Sequence, residues 1–147
     1  MNPSLVEREF PPTAPYLVGR EKVREFARAV LATAPLHHDV AVARAAGFAD
    51  VVAPPTFPVV VQEATLAQLL AEPDGGIDFS RVVHGEQRFD YVRPVVAGDE
   101  LTATLRVTSV KSLGGNSMVT AESSIVDGAG ALVVTAVSTL VVRGDGA

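Results

Sequence analysis

The stretch FPVVVQEATLAQLLAE, residues 57–72, is the strongest helical segment of the chain and decides how the rest can fold. Drawn as an α-helix, it carries apolar residues on nearly every side: Val59, Val60, Val61, Ala64, Leu66, Ala67 and Leu70. Pro58 suits the first helical turn, and the PDGG that follows Glu72 ends the helix. A helix that is apolar all round is a buried one, so we expect the remaining chain to wrap around it.

After this helix the hydrophobic pattern changes to a period of two, which predicts strands. Four segments show it: VVHGEQRFDYV (82–92), LTATLRVTSV (101–110), SMVTAESSIV (117–126) and LVVTAVSTLVV (132–142). The connections AGDE, LGGN and DGAG have the composition of turns, so consecutive strands should be antiparallel. In the first strand the alternation places two groups on opposite faces: Val83, Phe89 and Tyr91 on one, and His84, Glu86, Arg88 and Asp90 on the other.

The N-terminal half adds an extended arm and two shorter helices, predicted over residues 19–31 and 39–48. Asp39 suits the N-cap of the second of these helices, and Pro35 ends the first. The whole order predicts an α+β class, in which one antiparallel sheet is wrapped around one long central helix, the hot-dog fold. We expect a single domain over residues 1–147, and its open sheet edge predicts a dimer.

Composition excludes several classes of function. The net charge of −5 argues against a nucleic-acid partner, since phosphate binding needs a clustered basic surface. The absence of cysteine excludes disulfides, thiolate metal sites and a cysteine nucleophile. No histidine spacing suggests a metal site, and no glycine-rich phosphate loop is present. With no signal peptide or membrane-length apolar run visible, we expect a cytoplasmic protein with no cofactor, no metal and no membrane partner.

Three parts of the sequence resemble the MaoC-like dehydratases: VVAPPTF (51–57), RVVHGEQRFDYVRPVVAGDEL (81–101) and the closing strands. The resemblance runs from Pro12 to Val142. It is strongest to a small actinobacterial branch of single-hot-dog proteins, which includes subunits of mycobacterial-type (3R)-hydroxyacyl-carrier-protein dehydratases. It implies reversible addition of water across a trans-2-enoyl thioester. Because this reaction moves two protons at neighbouring carbons, the family pairs an Asp with a His as acid and base.

The family motif Gly-Asp-x-Asn-Pro-x-His is only half present in this chain. Aligned on Pro35, the motif histidine is His37, but the Asp position holds Ala32 and the Asn position holds Ala34. Leu31 stands at the Gly position. Since alanine cannot move a proton, His37 lacks the acid partner that the resemblance implies.

Three other residues are candidates to replace the missing acid. Asp39 is two residues from His37, although it also suits a helix cap. Glu63 lies in the apolar arc of the central helix, where a partly desolvated carboxylate would suit acid/base work; alternatively it pairs with Arg88 or His84, or faces a dimer partner. His84 is the third candidate; alternatively it is one member of a charged ladder on the outer sheet face or at a subunit interface.

The resemblance leads to four hypotheses about function. The chain is a non-catalytic or substrate-binding subunit of a (3R)-hydroxyacyl-thioester dehydratase, whose MaoC-like partner supplies the Asp and the His. In that case Leu31, Leu36, Phe57 and the central helix line or gate the tunnel for an acyl-CoA or acyl-carrier-protein thioester. Alternatively, it is an active homodimeric hydratase that uses His37, His84 or Glu63. The third hypothesis is a hot-dog acyl thioesterase based on Glu63, and the fourth is a carrier of apolar ligands or a purely structural protein.

Overall fold

The computed structural model describes residues 1–144 of the chain. Its helices and strands are β1 (Tyr16–Leu17), α1 (Arg20–Ala29), α2 (Val40–Ala45), α3 (Val59–Leu70), β2 (Val82–Tyr91), β3 (Glu100–Leu113), β4 (Asn116–Val126) and β5 (Leu132–Val142). Single turns of 3-10 helix add Pro3–Leu5, Pro35–His37 and Phe79–Arg81. The four long strands therefore lie where the period of two predicts them. No helix among the described residues is long and apolar enough to cross a membrane.

All five strands form one antiparallel sheet in the order β1-β3-β4-β5-β2. The N-terminal segment covers the outer edge of β3, because the backbone N–H groups of Glu7, Phe10 and Thr13 donate to carbonyls of that strand at 2.8–2.9 Å. Within residues 1–144, β2 pairs only with β5, so its other edge is open to solvent. The sheet thus has one protected edge and one free edge.

Helix α3 packs on one face of the sheet through a buried polar network as well as apolar contacts. The side-chain amide of Gln62 donates to the Ala136 carbonyl at 3.0 Å and accepts from Gln87 at 2.9 Å. Thr65 Oγ1 lies 2.8 Å from Ser123 Oγ. These bonds join α3 to β2, β4 and β5, and they fix its position along the sheet because the side chains of Gln62 and Thr65 find their partners only in this position.

The prediction that α3 is buried on every side is wrong for this chain. Its buried residues are Val61, Gln62, Thr65 and Leu69, which lie on one side. The opposite side exposes Glu63, Ala64 and Ala67 to solvent. Hydrophobic periodicity reports that a surface is apolar, but it does not report which chain covers it.

The predicted faces of β2 are also wrong at its N-terminal end. The pairing with β5 is shifted between His84 and Glu86, where Gly85 is an extra residue that forms a bulge. His84 stands opposite Leu140, so its side chain lies on the side of α3, with Val82 and Gln87. Because one inserted residue reverses the alternation, His84 does not share a face with Arg88.

The smaller predictions for the N-terminal half agree with the structure, except that both helices are shorter than predicted. Asp39 caps α2, since its Oδ1 accepts the N–H groups of Ala41 and Val42 at 2.8 and 3.2 Å. Helix α1 ends at Ala29, six residues before Pro35, so the proline is not what ends it. Leu31 takes a left-handed backbone conformation with φ of 58°. The chain therefore turns sharply into the segment that carries the incomplete motif.

Candidate active site

The loop that carries His37 is held by the strand-like segment around Val52. The Val52 N–H donates to the Leu36 carbonyl at 2.9 Å, and His37 Nδ1 lies 2.6 Å from the Val52 carbonyl. A carbonyl can only accept, so Nδ1 carries the hydrogen of this bond. In the neutral ring Nε2 is then free to accept a proton, which is the tautomer that a general base requires.

A second histidine, His38, closes the same loop by a bond to the backbone of Ala32, the motif position that lacks the acid. His38 Nε2 donates to the Ala32 carbonyl at 2.8 Å, and the Ala32 N–H donates to the Ala27 carbonyl at 2.8 Å. Arg24 Nε in turn donates to the His38 carbonyl at 2.8 Å. The backbone of the motif is therefore well fixed, but it presents the methyl group of Ala32 at the position where the resemblance implies a carboxylate.

A cavity of about 290 Å³ adjoins His37, and its wall is largely apolar. It is lined by His37, Val52, Ala53, Pro55, Tyr91, Val92, Arg93 and Pro94. Tyr91 donates its hydroxyl to the Pro55 carbonyl at 2.6 Å, and burial raises the pKa of Tyr91 far above its ordinary value. The Arg93 guanidinium is bound to Asp99 at 2.8 and 3.0 Å and to Asp127 at 3.4 Å. Tyr91 and Arg93 are thus both engaged with other groups, and His37 is the remaining ionisable side chain of this lining.

Glu63 and His84 line a second groove of about 420 Å³, between α3 and β2. The remaining lining is apolar: Leu66, Ala67, Leu70, Phe79, Val82 and Leu140. Within residues 1–144 Glu63 has no hydrogen bond or ion pair, and Arg88 is paired with Asp90 at 3.1 Å instead. The expected desolvation of Glu63 inside this chain is therefore wrong, because its side of α3 is exposed.

The residues predicted to bind substrate lie apart from both cavities. Leu31 is 83% exposed, and Leu36 is partly buried. Phe57 is fully buried in the core, where its ring meets that of Phe26 edge to face at 5.3 Å. Contact of these three residues with a substrate stays a prediction.

Sequence reasoning missed Tyr91 and Arg93 as lining residues. Alternation along β2 placed Tyr91 on the inner face, which was the available signal. An isolated β-bridge between Val52 and Val96 brings the segment that carries both residues next to His37. This contact is distant in sequence, so no local sequence pattern predicts it. Among residues 1–144, no group of three histidine or carboxylate side chains is arranged to hold a metal ion.

Comparisons with solved structures support the same fold. A MaoC-like dehydratase superimposes with a TM-score of 0.86 and 35% identity over 96% of this chain. The (3R)-hydroxyacyl-ACP dehydratase complex HadBC of Mycobacterium tuberculosis gives a TM-score of 0.81 and 33% identity, covering 90% of this chain and 92% of that one. The hot-dog fold predicted from the sequence is confirmed. The chain spans only 43% of the length of the MaoC-like dehydratase.

Comparisons of sequence define the family. A family model described as the FAS1-like dehydratase domain region matches residues 4–136, and the chain belongs to that family. The UPF0336 protein of Clavibacter michiganensis subsp. michiganensis is 75% identical over 147 residues, which cover 100% of this chain and 99% of that protein. A UPF0336 protein of Streptomyces avermitilis is 50% identical over 143 residues, covering 97% of this chain and 95% of its own length.

Proposed function

We propose that the chain is a subunit of a (3R)-hydroxyacyl-thioester dehydratase and that it does not complete the acid/base pair alone. The observation that carries this proposal is the His37 cavity, which has a well-oriented base and a methyl group at the position of the acid. Elimination of water from a 3-hydroxyacyl thioester needs a base for the proton on C2 and an acid for the leaving hydroxyl. His37 can serve as one of these groups, but Ala32 can serve as neither.

A second hot-dog subunit is the proposed source of the missing group. The matched HadBC dehydratase is a complex by its name, and the matched MaoC-like dehydratase is a chain more than twice as long as its matching part. Both matches support the proposal that this hot-dog chain functions next to a second hot-dog subunit. In the first form of the proposal the partner has an intact Asp and His, and this chain contributes binding surface for the acyl thioester of coenzyme A or of a carrier protein.

The alternative is a homodimeric hydratase that uses relocated groups. The observation that favours it is the groove in which Glu63 and His84 lie together on the uncovered side of α3. A thioesterase would also need a carboxylate near the thioester carbonyl, and Glu63 is again the candidate. The two activities differ in product, because hydration gives a hydroxyacyl thioester and thioester hydrolysis gives a free thiol.

The test measures the loss of enoyl absorbance when the purified chain meets trans-2-enoyl-CoA substrates of short and long acyl chains. We expect no turnover by the chain alone, and turnover when a hot-dog protein with an intact Asp and His is added. Circular dichroism and gel filtration establish that the assayed protein is folded.

Turnover by the chain alone, abolished in the variant His37→Ala, would overturn the non-catalytic form of the proposal and support the homodimeric hydratase. Release of free thiol without hydration would point to the thioesterase. Failure of every intact-motif partner to restore turnover, with no activity in the chain itself, would overturn the dehydratase proposal.

A further inference from the structure

The carbonyl group that orients His37 belongs to an extended segment, residues 51–53, which is hydrogen-bonded on both of its edges. On one edge the Val52 N–H donates to the Leu36 carbonyl at 2.9 Å, and the Val52 carbonyl lies 2.6 Å from His37 Nδ1. In extended backbone, the polar groups of successive residues point to opposite edges. The position of the Val52 carbonyl therefore depends also on what holds the other edge.

The other edge is bonded to residues 92–99, which connect β2 to β3. The Ala53 N–H donates to the Val95 carbonyl at 2.8 Å, and the Ala97 N–H donates to the Val51 carbonyl at 3.0 Å. Connections of this kind are more mobile than the strands they join unless other groups tie them down. The shape of the 92–99 segment thus has to be fixed before it can fix its neighbour.

Asp99 ties the 92–99 segment together from its C-terminal end. Its carboxylate accepts the Arg93 guanidinium at 2.8 and 3.0 Å and the Val96 N–H at 2.9 Å. Arg93 also donates to the Pro94 carbonyl at 3.0 Å and to Asp127, in the turn between β4 and β5, at 3.4 Å. A two-pronged pair of this kind holds its partners in one geometry, so it joins both ends of the segment.

We propose that Asp99 and Arg93 are positioning residues for His37. They hold the 92–99 segment, and through the Val52 carbonyl they fix the tautomer in which Nδ1 carries the hydrogen. The path has three steps: from the ion pair to the backbone of the segment, from there to residues 51–53, and from the carbonyl to the ring. The orientation is a property of this chain alone, whereas its use in proton transfer rests on the proposed function.

The tautomer of His37 is the quantity that this path controls. A neutral imidazole carries its hydrogen on either nitrogen, and the hydrogen bond made by one nitrogen decides the state of the other. The Val52 carbonyl selects Nδ1–H and leaves Nε2 bare. A carbonyl displaced from this position would allow the second tautomer, in which Nε2 carries the hydrogen and cannot accept a proton.

Arg93 lines the same cavity as His37, but its charge is already matched by carboxylates. Hydrogen bonding to Asp99 raises the pKa of Arg93 above its ordinary value, so the guanidinium stays protonated. A cation paired in this way is poorly placed to bind a charged part of a substrate. Orientation of the cavity wall is the role that its contacts support.

NMR of the isolated chain tests the positioning without any assay of turnover. The shifts of the two ring nitrogens report which one carries the hydrogen, and the variant His37→Gln assigns the His37 signals among the three histidines. At mildly alkaline pH, where imidazole is neutral, the wild type should show Nδ1 protonated and Nε2 bare. In Asp99→Asn and in Arg93→Gln both shifts should move toward a common average, because the second tautomer becomes populated.

Glu72→Gln is the matched control for Asp99→Asn. Glu72 is 11% exposed and pairs with Arg8 at 2.6 Å, and Asp99 is 12% exposed, so the two carboxylates have similar burial and the same kind of partner. The Arg8–Glu72 pair joins the N-terminal segment to the turn after α3. Its loss should therefore leave the nitrogen shifts of His37 unchanged. Thermal unfolding of each variant separates a loss of positioning from a general loss of stability.

Two further variants keep the test independent of any one substitution. Arg93→Lys retains the charge but cannot bind both carboxylate oxygens as a fork, so its nitrogen shifts should lie between those of the wild type and Arg93→Gln. The double variant Arg93→Gln/Asp99→Asn should differ from the wild type no more than either single variant, since both act through one pair. Wild-type shifts of His37 in folded Asp99→Asn and Arg93→Gln would overturn the proposal.

Turnover of a complete dehydratase separates this inference from the proposed function. In a complex that requires His37, Asp99→Asn and Arg93→Gln should each lower kcat by about tenfold with little change in KM. A rise in KM confined to Arg93→Gln would make Arg93 a binding group for the thioester and overturn its positioning role. Altered nitrogen shifts with an unchanged kcat would retain the positioning and remove His37 from the proton transfer. If no partner restores turnover, the nitrogen shifts still decide the positioning.

Discussion

Two glutamines of α3 differ in how well their buried polar atoms are satisfied. Gln62 is fully buried, and its amide bonds both the Ala136 carbonyl and the Gln87 side chain. Gln68 has a buried Oε1 atom with no hydrogen-bond partner. The same substitution should therefore affect stability differently at these two positions. Removing a bonded amide leaves its partners unsatisfied and lowers the free energy of unfolding, whereas removing an unsatisfied buried oxygen does not.

We expect Gln62→Leu to lower the free energy of unfolding by about 2–4 kcal/mol, since it removes the partner of the Gln87 side-chain N–H group and of the Ala136 carbonyl. Gln68→Leu should leave stability unchanged or raise it by up to about 1 kcal/mol. Urea unfolding followed by circular dichroism measures both values. Equal losses in the two variants would show that volume, and not hydrogen bonding, decides the effect.

Restoring the family carboxylate is the direct test of the incomplete motif. The backbone of Ala32 is held by the Ala27 carbonyl and by the side chain of His38, so an aspartate placed there would start from a fixed backbone position. We expect Ala32→Asp/Ala34→Asn to raise hydration of a short-chain enoyl-CoA by about tenfold or more, which is less than a complete acid/base pair contributes. Ala32→Asn is the matched control of similar size, and equal rates in the two would contradict the prediction.

At the scale of the element, the bulge in β2 decides which face His84 takes. A Cβ atom at Gly85 would lie 3.1 Å from Val141 Cγ2 and 3.3 Å from the Thr139 carbonyl oxygen. We expect Gly85→Ala to lower the free energy of unfolding by about 1–2 kcal/mol, because strand β5 must shift to make room for the added methyl group. Gly128→Ala is the control, since no atom lies within 4 Å of a Cβ atom there. Equal stability of the two variants in thermal unfolding would contradict this reading of the bulge.

The turn between β4 and β5 depends on the ionised carboxylate of Asp127. The backbone N–H of Ala131, together with that of Ala129 and the Arg93 guanidinium, lowers the pKa of Asp127 below its ordinary value. The folded protein therefore binds this proton more weakly than the unfolded chain does. The carboxylate stabilises the fold above its ordinary pKa of about 4, and its contribution is lost as the pH falls through the lower folded value.

Asp127→Asn keeps the side-chain oxygen that accepts from Ala129 and Ala131 but removes the charge. We expect the variant to be less stable than the wild type at pH 7 and the difference to shrink as the pH falls below about 4. Unfolding by urea at pH 7 and at pH 3 measures it. A difference that stays constant across this range would exclude the charge of Asp127 as its cause.

At the scale of the whole molecule, the sequence predicted those features that repeat along the chain. The period of two located all four long strands, and the apolar segment 57–72 located α3, because both signals extend over ten residues or more. The position of His84 was not predictable in this way, since one inserted glycine reverses the alternation without changing the composition.

The surroundings of the candidate site were harder to predict than the fold. His37 was located by its motif, but Tyr91 and Arg93 reach its cavity through contacts distant in sequence. The uncovered side of α3 illustrates a more general limit. Its apolar residues predict burial correctly if a second subunit covers them, and they predict it wrongly for one chain in isolation.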